Sequence, residues 1–308
     1  MKYPIKKEFF PYSCFAPPIR DAKMAGWMGS MMRPPMWIRR DREVKVRKAA
    51  IKGYNNGKIE IFVFEPYDIA DNAPCLVYYH GGGFFFEGAD YHYRLAKEYA
   101  LKTPCKVVFV QYRLAPKNPY PVPVEDSYAA LRWTFRNAEK LKIDRMKIAV
   151  GGDSAGGTLA AAVCQMARDR GAEIPCFQLL VYPVTDSRMQ SESNEKYTDT
   201  PMWNSKLSKK MWSGYLTDSN IPDIAYASPM EAKCFEHLPE AYVETAEFDC
   251  LHDEGVDYAN ALSEADIDVT LNETKGTIHG FDIVLKAPTT KAAVAARIKY
   301  MQNHFHTI

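Results

Sequence analysis

Ile148-Ala149-Val150-Gly151-Gly152-Asp153-Ser154-Ala155-Gly156 is the stretch that decides the fold. A short apolar run ends in Gly-x-Ser-x-Gly. Residues 155–170, which follow, are rich in alanine and other helix formers, and Gly171 is placed to cap their end. Strand, sharp turn and helix are therefore expected in that order, the setting in which a serine exposes its hydroxyl at a nucleophile elbow. The residue types have a physical reason. The serine backbone is strained there, and flanking glycines omit the Cβ atoms that would strike the strand and the helix. A glycine-rich turn before a helix can also cradle phosphate, and residues 151–158 come near the spacing G-x-x-x-x-G-K-[ST]. Gly157 stands where that motif needs its lysine, so the serine reading is preferred.

A reactive serine needs a base, an acid to orient the base, and donors for an oxyanion. His80-Gly81-Gly82-Gly83-Phe84 follows the apolar run Cys75-Leu76-Val77-Tyr78-Tyr79. Successive glycines let backbone N–H groups converge on one point; the competing reading is a flexible turn. Of the seven histidines, His80 belongs to this loop as a structural hydrogen-bonder. His92, His237 and His252 sit in polar stretches, and His304 and His306 read as a frayed tail rather than metal ligands. His279, after a strand-like segment and before Gly280-Phe281, is the best base. Asp249, Asp253 and Glu247 compete for the acid. Ala241-Tyr242-Val243 reads as a strand and Asp249 lies in the loop after it, where functional groups sit in open α/β sheets. Asp253 reads as opening the next helix, near the positive end of its dipole.

At these residues the chain closely resembles the hormone-sensitive-lipase-like esterases of the α/β-hydrolase fold. The motifs are HGGGF at 80–84, YRLAP at 112–116, VED at 124–126 and GDSAGG at 152–157. They continue with YPVTD at 182–186, ASP at 227–229, TAEFDCLHDEG at 245–255 and IHGF at 278–281, so the likeness runs from about residue 43 to the end. Lys117, Thr158 and Cys250 depart from it, at positions without a direct chemical role. The resemblance implies Ser154 as nucleophile, His279 as base and Asp249 as acid, in the chain order expected of this fold. It implies Gly82 and Gly83 as oxyanion donors beside Ala155, the residue after the nucleophile. It further implies a carboxylesterase acting on small, short-acyl esters with no metal or cofactor. An amidase, a peptidase or a sugar-ester deacetylase would use the same triad. Gibberellin receptors resemble this family as non-catalytic binding proteins, but they lack the histidine that His279 provides.

The 308 residues suffice for one large α/β core. A net charge of +1 gives no electrostatic case for nucleic acid or an anionic membrane, and no apolar stretch approaches the ~18 residues of a membrane span. Lys2, Lys6 and Lys7 are followed by no apolar signal core, and the seven scattered cysteines form no C-x-x-C pair. Both features point to reduced thiols in a cytoplasmic setting. A small-molecule ester is the implied partner; homo-oligomerisation is left open.

Residues 1–42 read as an N-terminal cap segment and 43–308 as the catalytic domain, with 187–218 a second cap segment. The first segment crowds methionines at 24, 28, 31, 32 and 36 with Trp27 and Trp37 among prolines; the second contains Trp203 and Trp212. Asn56-Gly57 is a two-residue turn signal between strands at 44–51 and 59–64. Apolar runs at 75–79, 107–110, 148–150, 177–182, 241–243 and 267–271 then alternate with helical patterns. Val124, Tyr128, Leu131 and Phe135 mark one helix face, and Val294, Ile298, Met301 and Phe305 another. This alternation predicts a mostly parallel sheet covered on both faces.

Overall fold

The computed structural model describes residues 2–32, 34–39, 41–218 and 221–306. Among the described residues eight strands form one sheet. In chain order they are β1 (Val44–Lys52), β2 (Lys58–Pro66), β3 (Ala73–Tyr79), β4 (Lys106–Gln111), β5 (Ile143–Asp153), β6 (Phe177–Val181), β7 (Glu240–Phe248) and β8 (Val269–Ile278). Their spatial order is β1-β2-β4-β3-β5-β6-β7-β8. β2 is antiparallel to both of its neighbours, and the ladder from β4 to β8 is parallel. The carboxyl ends of β3, β5, β7 and β8 therefore lie along one edge of the sheet, and each of the candidate site residues follows one of those ends. β3, β4 and β6 carry almost no exposed side chain, as expected of strands covered on both sides.

The helices are α1 (Ala22–Ser30), α2 (Asp90–Lys102), α3 (Val122–Arg136), α4 (Ala138–Leu141), α5 (Ala155–Asp169), α6 (Glu192–Lys196), α7 (Ser205–Tyr215), α8 (His252–Glu264) and α9 (Pro288–His306). Successive side chains on a strand point to opposite faces, and β3 shows which helices lie where. The Tyr78 ring meets Tyr99 of α2, whereas the Tyr79 hydroxyl donates to the carbonyl of Ser127 in α3 (3.0 Å). Thus α2 covers one face and α3 the other. α5 packs beside α3, and α9 joins α2 through the Arg297 bond to the Tyr99 hydroxyl (3.1 Å).

Both predicted apolar faces are internal: Val124, Leu131 and Phe135 of α3 are buried with Tyr128 half-buried, and Val294, Ile298, Met301 and Phe305 of α9 are buried. Two local expectations need correction. The β1–β2 hairpin closes at the pair Lys52 and Lys58, leaving a five-residue loop in place of a two-residue Asn-Gly turn. Asn55 and Asn56 take the left-handed conformation there (φ 50° and 57°), so the asparagines turn the chain and Gly57 does not. His304 and His306 also do not form a frayed tail: α9 runs through His306, and the His304 ring stacks on Tyr300 at 3.8 Å.

α1 and α7 pack against one another above the carboxyl edge of the sheet, with Ala22 against Gly214. Between α6 and α7, Trp203 reaches down onto Gly83.

Candidate active site

β5 ends at Asp153, and Ser154 follows with φ 54° and ψ −123°, a strained conformation for a residue with a side chain. α5 begins at the next residue. Gly156 is where this turn meets its neighbour: a Cβ there would lie 2.0 Å from the carbonyl oxygen of Tyr79 at the end of β3. The serine elbow and the glycine loop are thus pressed together, and no larger residue fits between them.

His279 follows β8 directly, and Asp249 follows β7. The carboxylate can only accept, so His279 Nδ1–H donates to Asp249 Oδ2 (2.6 Å), which leaves Nε2 to accept from the Ser154 hydroxyl (2.9 Å). Asp249 also accepts from the backbone N–H of Leu251 (3.0 Å). Asp249 has no exposed surface, and Ser154 and His279 are each 6% exposed. The structure therefore brings together Ser154, His279 and Asp249, which lie far apart in sequence. The competing acids have other tasks. Asp253 accepts from the backbone N–H of Ser193 (2.7 Å), and Glu247 accepts from that of Gly276 (2.6 Å).

Gly82 and Gly83 have φ of 116° and 59° and open a tight turn in which Phe85 N–H donates to the Gly82 carbonyl (3.0 Å). Their own N–H groups find no acceptor among the described residues. Ala155 is the first residue of α5, where a helical N–H has no partner within its own helix.

A support beneath this loop is absent from the sequence reading. Asp153 is buried, and its carboxylate accepts from Gly81 N–H (3.1 Å), the Tyr78 hydroxyl (2.6 Å) and His92 Nε2 (3.0 Å). Burial pushes its pKa up, but the neighbouring His92 imidazole and the hydrogen bonds from His92 and Tyr78 outweigh that and leave it at about 2. The anchor is therefore present above the ordinary carboxyl range and is lost only as the pH falls through about 2. His80 stacks on Tyr112 at 4.6 Å, and burial, followed by the nearby His92, holds its pKa down at about 4. It is neutral at pH 7 and donates from Nδ1 to the Gly81 carbonyl (2.8 Å). His92 reads as polar in sequence yet is 2% exposed. The available signal was Asp153 itself, since a carboxylate in an elbow turn between strand and helix needs a partner.

Above Ser154 the walls are apolar. The tip of the Trp203 indole would sit 2.8 Å from a Cβ on Gly83, and its ring centre is 6.1 Å from that of His279. Trp203 Nε1–H donates to Ser208 Oγ (2.8 Å), which fixes the ring. Met211 also borders Gly83, and Met202 borders Gly280. Among the described residues, no group of three or more His, Cys, Asp or Glu is placed to hold a metal ion.

The profile of the alpha/beta hydrolase fold matches residues 76–283. The chain belongs to the hormone-sensitive-lipase-like esterases of that fold. Among relatives of this esterase family, carboxylesterase NlhH of Mycobacterium tuberculosis is 35% identical over 270 residues, 86% of this chain and 84% of that protein. Esterase LipI of the same organism is 36% identical over 244 residues, covering 78% and 75%. A solved structure described as a bacterial heroin esterase superposes with a TM-score of 0.82 at 33% identity, covering 92% of this chain and 89% of that one. This esterase is a carboxylic ester hydrolase. No helix among its described residues is long and apolar enough to cross a membrane.

Proposed function

We propose that this esterase hydrolyses small, short-acyl esters through an acyl-enzyme on Ser154. The observation that carries the reading is the unbroken hydrogen-bond chain from Asp249 through His279 to Ser154. Ser154 Oγ attacks the ester carbonyl carbon and its proton passes to His279 Nε2. The carbonyl oxygen becomes negative and takes hydrogen bonds from the amides of Gly82, Gly83 and Ala155. Collapse expels the alcohol, which takes the proton from His279. Water then attacks the acyl-enzyme, again giving its proton to His279, and the carboxylic acid leaves with Ser154 restored. Asp249 stays ionised throughout, fixing the imidazole tautomer and balancing the imidazolium. The experiment is a pair of variants assayed on p-nitrophenyl acetate. Asp249→Asn should lower kcat on the order of 10⁴-fold, the scale known for this change in a serine triad. Asp253→Asn should change it by no more than a few fold. The reverse outcome would mean the acid is misassigned.

Residues 1–42 and 187–218 act, in this reading, as two parts of a cap whose inner wall limits the acyl group. Trp203 lies against Gly83, with its ring centre 6.1 Å from that of His279. One methylene in an apolar pocket is worth about 1–3 kcal/mol, so opening this wall has a readable effect. Trp203→Ala is expected to raise the ratio of kcat/KM for p-nitrophenyl hexanoate over acetate by about tenfold or more. An unchanged ratio in a folded variant would place the acyl group elsewhere.

A further inference from the structure

The net charge of +1 conceals a segregation. Residues 1–40 contain eight Lys or Arg and two Asp or Glu, a net +6, while the remaining 268 residues net −5. Of that excess, Lys23 lies on α1 in the layer above the active site, and α7, outside residues 1–40, adds three lysines beside it. α1 and α7 together hold four lysines and no acidic residue. In α7, Leu207, Met211, Trp212 and Tyr215 face inward, whereas Lys206 and Lys209 are exposed. α1 is inverted relative to a helix laid on a core. Its small residues Ala25 and Gly29 are buried, and Lys23, Trp27 and Met31, spaced by four, point outward. Trp27 is 65% exposed and Met31 63%. Phe15, 48% exposed, precedes α1 and accepts at its carbonyl from Met202 N–H (2.6 Å), next to the Trp203 wall.

Large exposed apolar side chains set among lysines match a particular surface. Lysine stems lie along apolar matter while their ammonium groups reach for charge. Tryptophan favours the headgroup level of a bilayer. Basic residues near an anionic leaflet are drawn to it. A second copy of this chain would match the charge through its acidic remainder. Among its described residues, however, that remainder exposes large apolar side chains only at Tyr67, Met146, Ile174 and Leu271, on separate segments. We propose that the outer face of α1 and α7 docks on anionic lipid surfaces, placing the entrance to Ser154 against the esters held there.

Co-sedimentation of the full chain with phosphatidylglycerol vesicles, beside phosphatidylcholine vesicles, tests this without reference to esterase chemistry. The protein is expected to pellet with the first and not the second, and raised salt should release it. Lys23→Ala and Lys206→Ala should each weaken binding about fivefold, the equivalent of about 1 kcal/mol per basic residue. Trp27→Ala should weaken it about tenfold through lost apolar insertion. All three should hydrolyse p-nitrophenyl acetate in solution like the parent, which shows that they fold. Failure to pellet with phosphatidylglycerol, equal pelleting with both lipids, or variants that bind like the parent would overturn the proposal. So would a dimer on size-exclusion chromatography that Trp27→Ala splits while no vesicle is bound, which would make the face a contact between copies.

Discussion

Ser154→Ala is expected to lower kcat on p-nitrophenyl acetate on the order of 10⁶-fold, and His279→Ala by a similar factor, because members of a catalytic triad act as a unit and their losses do not add. The double variant should therefore be hardly worse than either single one. The fold should survive. Ser154 contributes one hydroxyl to a site already framed by the buried Asp153 anchor and by the Tyr182 ring, whose edge meets His279 at 4.9 Å. Removing that oxygen creates no large cavity and leaves His279 Nε2 beside a methyl group, still tied to Asp249 through Nδ1. Circular dichroism and a melting curve close to the parent's, with activity gone, are the expected pair of results. A residual rate only tenfold below the parent would mean that another group does the attacking.

Arg297→Met should show a large stability loss although it lies outside the site around Ser154. Arg297 is fully buried on α9 and pairs with two buried carboxylates. It donates to Glu244 of β7 and to Asp282 (2.7 Å), three residues after His279. Asp282 also accepts from the Tyr182 hydroxyl (2.9 Å), and Glu244 from that of Tyr242 (2.9 Å). Burial already pushes the Asp282 carboxyl above its usual range against the pull of Arg297. Without the arginine, two carboxylates face each other with no cation between them. Breaking a buried pair by removing one partner costs about 3–5 kcal/mol, and urea denaturation is expected to show it. Lys142→Ala, which removes an exposed pair with Asp71, should cost about 0–1 kcal/mol. Equal effects from the two changes would mean the buried cluster is not structural support for the His279 loop.

The contrast between these two predictions also marks what could be read from sequence. The elbow is a local construction: an apolar strand, two small residues and a helix former fall within nine positions, so Ser154 and its setting were legible. Asp249 and His279 were legible because each follows a strand-like run, and a parallel sheet aligns the ends of its strands. Trp203 and His92 were not, because their roles depend on contacts across the fold: an indole lying on Gly83, and an imidazole reaching Asp153. Arg297 left a trace that was easy to pass over. It lies three residues after Val294 and one before Ile298, on the very face whose apolar stepping marked α9 as a core helix, and an arginine on such a face must be buried with partners. The hairpin turn misled for a different reason. Asn56-Gly57 is a strong pair in isolation, but the strands pair as far as Lys52 and Lys58, so the loop is too long for it to act as a two-residue turn.

The central claim is that Ser154 forms the covalent bond. Intact-mass measurement after treatment with an organophosphonate probe tests it most directly. The parent protein is expected to gain one adduct, mapped by peptide sequencing to Ser154, and the Ser154→Ala protein to gain none. An adduct of the same mass on the folded Ser154→Ala protein would contradict the account.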